Sequence, residues 1–187
     1  MRKILFTRES ECIQPIRALV EQQKHRALVA WAFDCAPRVL AIFERHCPND
    51  PRPRLALETA QAWARGEVKM PAAKRAIHAA HNAATEAESC PAAQAAARAV
   101  GHAAATVHVE THALGLIFYG LTAFIYDENT TAYDGIVKRE CGLFYDRLMY
   151  WQDQIDRVDV PWAGFLLRDD VPNKEKLLRE KQEEKGI

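Results

Sequence analysis

Apolar positions recur along this chain at intervals of three and four, the period of a helix with one buried face. From Lys24 to about Cys47 the series runs Leu28, Trp31, Cys35, Val39, Ile42 and His46. From about Thr130 to Val158 the positions Val137, Cys141, Phe144, Leu148, Trp151 and Ile155 alternate four and three, a seam of the bundle or coiled-coil kind. Strand patterning is almost absent, with no alternating β-branched run and no Asn-Gly or Asp-Gly hairpin. Ile4-Leu5-Phe6 could be extended but has no evident partner. The pattern predicts an all-α fold, a helical bundle-like domain with closely packed Ala-rich helices and a long C-terminal helix.

Proline and glycine punctuate the pattern. Glu9 to Gln23 suits a first helix with Ser10 as its cap. Pro37 falls inside the second and is expected to kink or split it, because proline removes a backbone donor. The run Pro48 to Arg54 is a clear break, after which Asp50 can cap a third helix and Pro51 can sit at its first position. Gly66 suits the end of that helix. Pro71 opens a fourth, reaching about Ser89, and Pro91 opens a fifth, reaching about Tyr126. Gly101, Gly115 and Gly120 within the fifth mark a break or tight packing. Pro161-Trp162-Ala163-Gly164 ends the last long helix. The domain reading is one helical unit over 1–160 and a charged tail over 161–187, with a surface helix from Asn173.

Composition narrows the function. Among 187 residues, 25 basic side chains balance 25 acidic ones, which argues against a nucleic-acid binder. No run approaches the ~18 apolar residues of a membrane span. Met1-Arg2-Lys3 is followed by only three apolar residues, unlike a secretory leader. The expectation is a cytoplasmic protein away from the membrane. The five cysteines, Cys12, Cys35, Cys47, Cys90 and Cys141, include no Cys-x-x-Cys pair. That argues against a disulfide framework or zinc knuckle and for free, buried thiols. There is no phosphate-binding loop and no nucleophile elbow, Cys35 lacks a nucleophile's signature, and no cofactor is expected.

The histidines are the candidate chemistry. Five of the seven lie between positions 78 and 112. His102, His108 and His112 fall in one predicted helix, where His108 and His112, four apart, would stand about 40° apart and could share a metal with ligands from other helices. Glu110 would face away from both and could not serve as a base there. The structural alternative is that at least two of His81, His102, His108 and His112 are buried and hydrogen-bonded between closely packed helices without metal. A surface or partner-binding role is the third. His78 and His81 share a helix face, and packing of two Ala-rich helices could bring His81 near His102 or His108.

Two further clusters combine aromatic and charged residues: Trp31, Asp34, Cys35 and Arg38, and Arg52, Arg54, Trp63 and Arg65. Arginine at a helix start opposes the macrodipole, so Arg52 and Arg54 should have acidic partners, within the protein or on another molecule. The tryptophans are expected to anchor the core.

An ordered series of segments carries a family resemblance. Trp31 to Ala36, Asn49 to Arg54, Ala62-Trp63-Ala64-Arg65-Gly66-Glu67, Ala99 to His108, and His112-Ala113-Leu114-Gly115 occur in that order. The series, spanning about Lys24 to Tyr126, resembles the immunity-protein-five-like group of small helical bacterial proteins. The resemblance implies an all-helical fold and a role in toxin–antitoxin conflict, in which the protein binds and blocks a cognate toxin. On that reading His81, His102, His108, His112, Trp31, Asp34, Arg52, Arg54, Trp63 and Arg65 form a partner-binding surface or a polar core. The rival reading is a metal-dependent enzyme using His108 and His112. Asp134, Asp146, Asp153, Asp156 and Asp159 make the last long helix acidic, which suits a basic partner such as a nuclease toxin. Its apolar seam must be covered by the core or by a second copy, with a homodimer narrowly favoured.

Overall fold

The computed structural model describes residues 4–184. It contains the helices α1 (Gln14–Val20), α2 (His25–His46), α3 (Arg52–Ala64), α4 (Met70–Glu86), α5 (Pro91–Ala105), α6 (His112–Glu128), α7 (Asp134–Gln154) and α8 (Lys174–Glu184), and no strand among the described residues. Short 3-10 turns at Glu11–Ile13 and Gly164–Leu167 precede α1 and α8. Met1-Arg2-Lys3, read as unlike the start of a leader, lies outside the described residues.

The bundle is built around α5, which α2, α3, α4 and α6 surround. Eleven of its fifteen residues are buried, nearly all of them alanine. A helix enclosed on every side has no room for long side chains, and methyl groups let the neighbouring backbones come close. Alanine also gives up no side-chain rotamers on burial.

The expected fifth helix is two. It stops at Ala105, turns through 106–111, and returns as α6 beside α5. The turn contains the β-branched residues Thr106, Val107, Val109 and Thr111, which lose side-chain freedom in a helix. Val107 is fully buried and pins it, and the backbone N–H of His108 closes onto the carbonyl of Ala105 at 2.9 Å.

Other boundaries follow local chemistry. Pro37 does not split α2, since the helix runs unbroken through it with the proline on its exposed face, between the buried pairs Cys35-Ala36 and Val39-Leu40. At the start of α3 the Asp50 carboxylate accepts the Arg52 backbone N–H at 3.0 Å. Pro51 precedes the first helical residue instead of filling that position. Past the end of α3, Gly66 takes φ +79°, and the N–H of Glu67 reaches back to the carbonyl of Ala62, a left-handed helix stop that glycine accepts without strain.

The α7 seam is covered by its own chain. Phe144, Leu148 and Ile155 are buried, with α1, α2 and α6 packed on the helix. The Trp31 indole N–H donates to the Phe144 carbonyl at 2.9 Å, with the two rings edge to face. The seam therefore does not require a second copy, and the reason for favouring a homodimer falls away. The segment beyond 160 also packs on the core. Ala163 N–H donates to the Ala64 carbonyl at 2.7 Å, and Phe165 lies 5.6 Å from the Trp63 ring. Asn173 caps α8 with its side-chain oxygen and donates through its amide to the carbonyls of Val20 and Gln23. Glu175, fully buried, pairs with Arg8 at 2.8 Å and lies 3.8 Å from Arg17.

Candidate functional site

Three histidines meet where α4, α5 and α6 touch. His81 comes from α4, His102 from the last turn of α5, and His112 is the first residue of α6. Glycines make the room. A Cβ on Gly101 would stand 2.6 Å from His81 Cε1, and one on Gly115 would stand 2.5 Å from His102 Cγ and Nδ1. Each ring thus fills a notch in the facing helix. His102 Nδ1 lies 3.1 Å from His112 Nδ1, its ring stacks on Tyr119 at 5.2 Å, and the His81 ring stands edge-on to it at 5.5 Å. Beside them is a cavity of about 350 Å³ lined by Ile4, Arg8, His102, Thr111, His112, Gly115, Phe118 and Tyr119.

The cluster is built for neutral imidazoles. Burial pushes His102 down to about 3, with the nearby charges of His112, His81, Arg98 and Arg8 adding to it. Burial also lowers His81 to about 4, helped by Arg98, and lowers His112. All three are half-buried, and only His102 and His112 bond to each other. The inward Nδ1 of His81 has no partner.

The sequence-derived metal pair does not form as expected. His108 lies in the 106–111 turn and His112 begins the next helix, so consecutive turns of one helix do not present them. His108 is exposed and stacks on Trp63 at 6.2 Å, while His112 turns to His102. Among the described residues no three histidine, cysteine, aspartate or glutamate side chains are grouped to hold a metal ion. Glu110 faces neither histidine's partner ring. Its Oε1 lies 3.8 Å from His25 Nδ1 on the far side of the turn.

The other candidates do not converge on the histidines. Trp31 is fully buried in the core. Asp34 accepts from Arg147 Nε at 2.5 Å and Trp151 Nε1 at 2.9 Å, tying α2 to α7. Arg38 pairs with buried Glu140 at 2.7 Å. Arg52 is held by Asp50 and Glu86, Arg54 by Glu44, and Arg65 by Glu67, so the acidic partners lie within the chain. Trp63, on α3, is buried with Phe165 of the tail segment against its ring. Burial pushes the Cys35 thiol up to about 12, which leaves it without a nucleophilic thiolate at neutral pH. The five cysteines are free.

Sequence reasoning did not single out Arg8, Tyr119 or His25, and it considered Glu110 only to set it aside as a base. Arg8 and Tyr119 reach the cluster only through tertiary packing. Gly101 and Gly115 are its local signal, since glycine inside a helix marks a close approach.

Comparison with known proteins supplies the family. The model of the Imm-5 like putative immunity protein family matches residues 18–147, and the chain belongs to that family. The match takes in α2 to α6 and most of α7, well past Tyr126. No curated protein and no solved structure matches the chain. No helix among the described residues is long and apolar enough to cross a membrane.

Proposed function

We propose that this protein is a non-enzymatic inhibitor that neutralises a bacterial toxin in the cytoplasm by direct contact, and that the outer face of α7 meets a basic surface of that toxin. Family membership motivates the role. The observation that carries the location is the makeup of this face. Leu143, Asp146, Tyr150 and Asp153 fall on one stripe opposite the buried seam. Leu143 is 40% exposed and Tyr150 44%. The Arg147 guanidinium lies over the Tyr150 ring at 4.3 Å and holds it in place. Asp146 and Asp153 enter no ion pair among the described residues, unlike the arginines of the sequence-derived clusters. A preset aromatic anchor rimmed by unneutralised carboxylates is suited to a cationic partner. The histidine cluster then serves to fix α4, α5 and α6 in register.

The test compares immobilised wild-type chain with a Tyr150→Ala/Asp153→Lys variant. Any captured protein is purified and titrated against both by calorimetry. The expected partner is basic, binds wild type more weakly as salt rises, and loses at least about tenfold affinity to the variant. A partner that binds both equally overturns the α7 location. A partner bound without loss of its toxicity overturns the inhibitor role.

A further inference from the structure

A second concavity opens on the other side of the 106–111 turn. It measures about 640 Å³ and lies between the α1–α2 junction, the turn and the segment leading into α8. His25 and Glu110 are among its lining residues. Glu110 is 4% exposed, and its Oε2 has no hydrogen-bond partner.

The hydrogens can be placed. His25 Nε2 lies 2.6 Å from the Thr106 carbonyl oxygen, which can only accept, so Nε2 carries the hydrogen. In the neutral ring Nδ1 is then a bare acceptor, and it faces Glu110 Oε1 at 3.8 Å. With the ring neutral, three acceptor atoms, His25 Nδ1 and both Glu110 oxygens, stand together with no donor among them. A buried carboxylate in that condition is costly unless a cation supplies donors.

The rest of the lining decides what the cation is attached to. Glu21 is held by Arg179 at 2.7 Å, and Asp169 by Lys24 at 3.4 Å. The other lining cations, Arg168 and Lys176, are exposed and reach their neighbours Asp170 and Glu180 only at 3.9 and 4.0 Å. With the pairs removed, the cleft offers one buried carboxylate and two loosely held positive heads. We propose that it binds a small zwitterion of the amino-acid type, its ammonium received by Glu110 and His25 and its carboxylate by Lys176 and Arg168. Three acceptors match the three donors of an ammonium. A polyamine lacks an anion for the two positive heads.

The experiment uses the full chain and two-dimensional NMR. Amino acids, with lysine and arginine among them, are titrated to millimolar concentration beside their decarboxylated amines, cadaverine and agmatine. The expected result is saturable shifts confined to the neighbourhoods of residues 21–25, 106–110 and 168–176 for an amino acid, with the matching amine at least about tenfold weaker. Glu110→Gln should abolish the response. Lys176→Ala and Arg168→Ala, both at exposed positions, should weaken the amino acid and leave the amine unchanged. These two keep the test decisive if Glu110→Gln fails to fold. Absence of shifts for every amino acid overturns the proposal, as does equal binding of the amine or full binding by folded Glu110→Gln.

Discussion

The Nδ1 atoms of His102 and His112 face each other at 3.1 Å across two helices, so one nitrogen must carry a hydrogen and the other must be bare. A proton added to the bare nitrogen would set two N–H groups against each other and place a positive ring beside Arg8. Burial, with the neighbouring charges adding to it, makes both histidines and His81 bind protons more weakly in the folded chain than in the unfolded one. The sign follows from linkage. An unfolded histidine takes its proton near pH 6.5, where the folded His102 and His81 stay neutral until about 3 and 4, so the unfolded chain binds more protons between those values. The stabilisation is complete above pH 6.5 and is lost as pH falls to about 4 for His81 and about 3 for His102. Urea melts at steps through this range should show stability dropping by about 1.4 kcal/mol per pH unit for each such histidine at most. His102→Asn should flatten the slope.

Gly115→Ala places a methyl group 2.5 Å from the His102 ring, and either the ring or a helix must move. The expected loss is about 1–3 kcal/mol by chemical denaturation. Adding His102→Ala should recover part of it, because the two changes share one space. Gly120→Ala is the control. Its new atom meets Phe144 Cζ and Val39 Cγ2 at 3.4 Å, and the change should stay within about 1 kcal/mol of wild type.

Leu148→Asp and Phe144→Asp separate an internal seam from an intermolecular one. Both residues are buried against the chain's own helices. A carboxylate there lacks partners, and each variant should lose more than about 4 kcal/mol and unfold. Circular dichroism with light scattering reads the result. A folded half-mass species would mean instead that the seam joins two copies.

Glu175→Gln removes the charge that holds α8 to the N-terminal segment. Arg8 and Arg17 would lose their shared carboxylate, and Arg17 is itself buried. The expected cost is about 2–3 kcal/mol. Limited proteolysis should then cut in the 160–175 region well before wild type is cut there.

The helices were legible wherever periodicity and punctuation agreed. Pro71 and Pro91 stand in the first turns of α4 and α5, and Gly66 provides the stop after α3. The α5–α6 break was not read because Thr106 to Thr111 contains neither glycine nor proline. Its signal was the weaker one of β-branched residues, and missing it put His108 and His112 on one helix. Pro37 was read too strongly, since an exposed face tolerates the ring while Cys35, Ala36, Val39 and Leu40 hold both halves of α2 in the core. The pairing of His102 with His112 and the contact of His25 with Glu110 depend on how the hairpin folds back. No local pattern encodes that. The same holds for Arg8 with Glu175, which are 167 positions apart.

That separation has a consequence in time. Arg17 and Glu21 are nine-tenths buried or more, and part of their cover is α8. A ribosome adding about 5–20 residues per second makes Glu175 roughly eight to thirty seconds after Arg17. For that interval the growing chain can assemble α2 to α6 while the flank of α1 stays open to water and to any binder that recognises it. The finished surface near α1 is thus set by the last part of the chain to be made. A ribosome stalled short of α8 would leave a bundle whose inner helices are packed and whose first helix still has its Arg17–Glu21 flank uncovered.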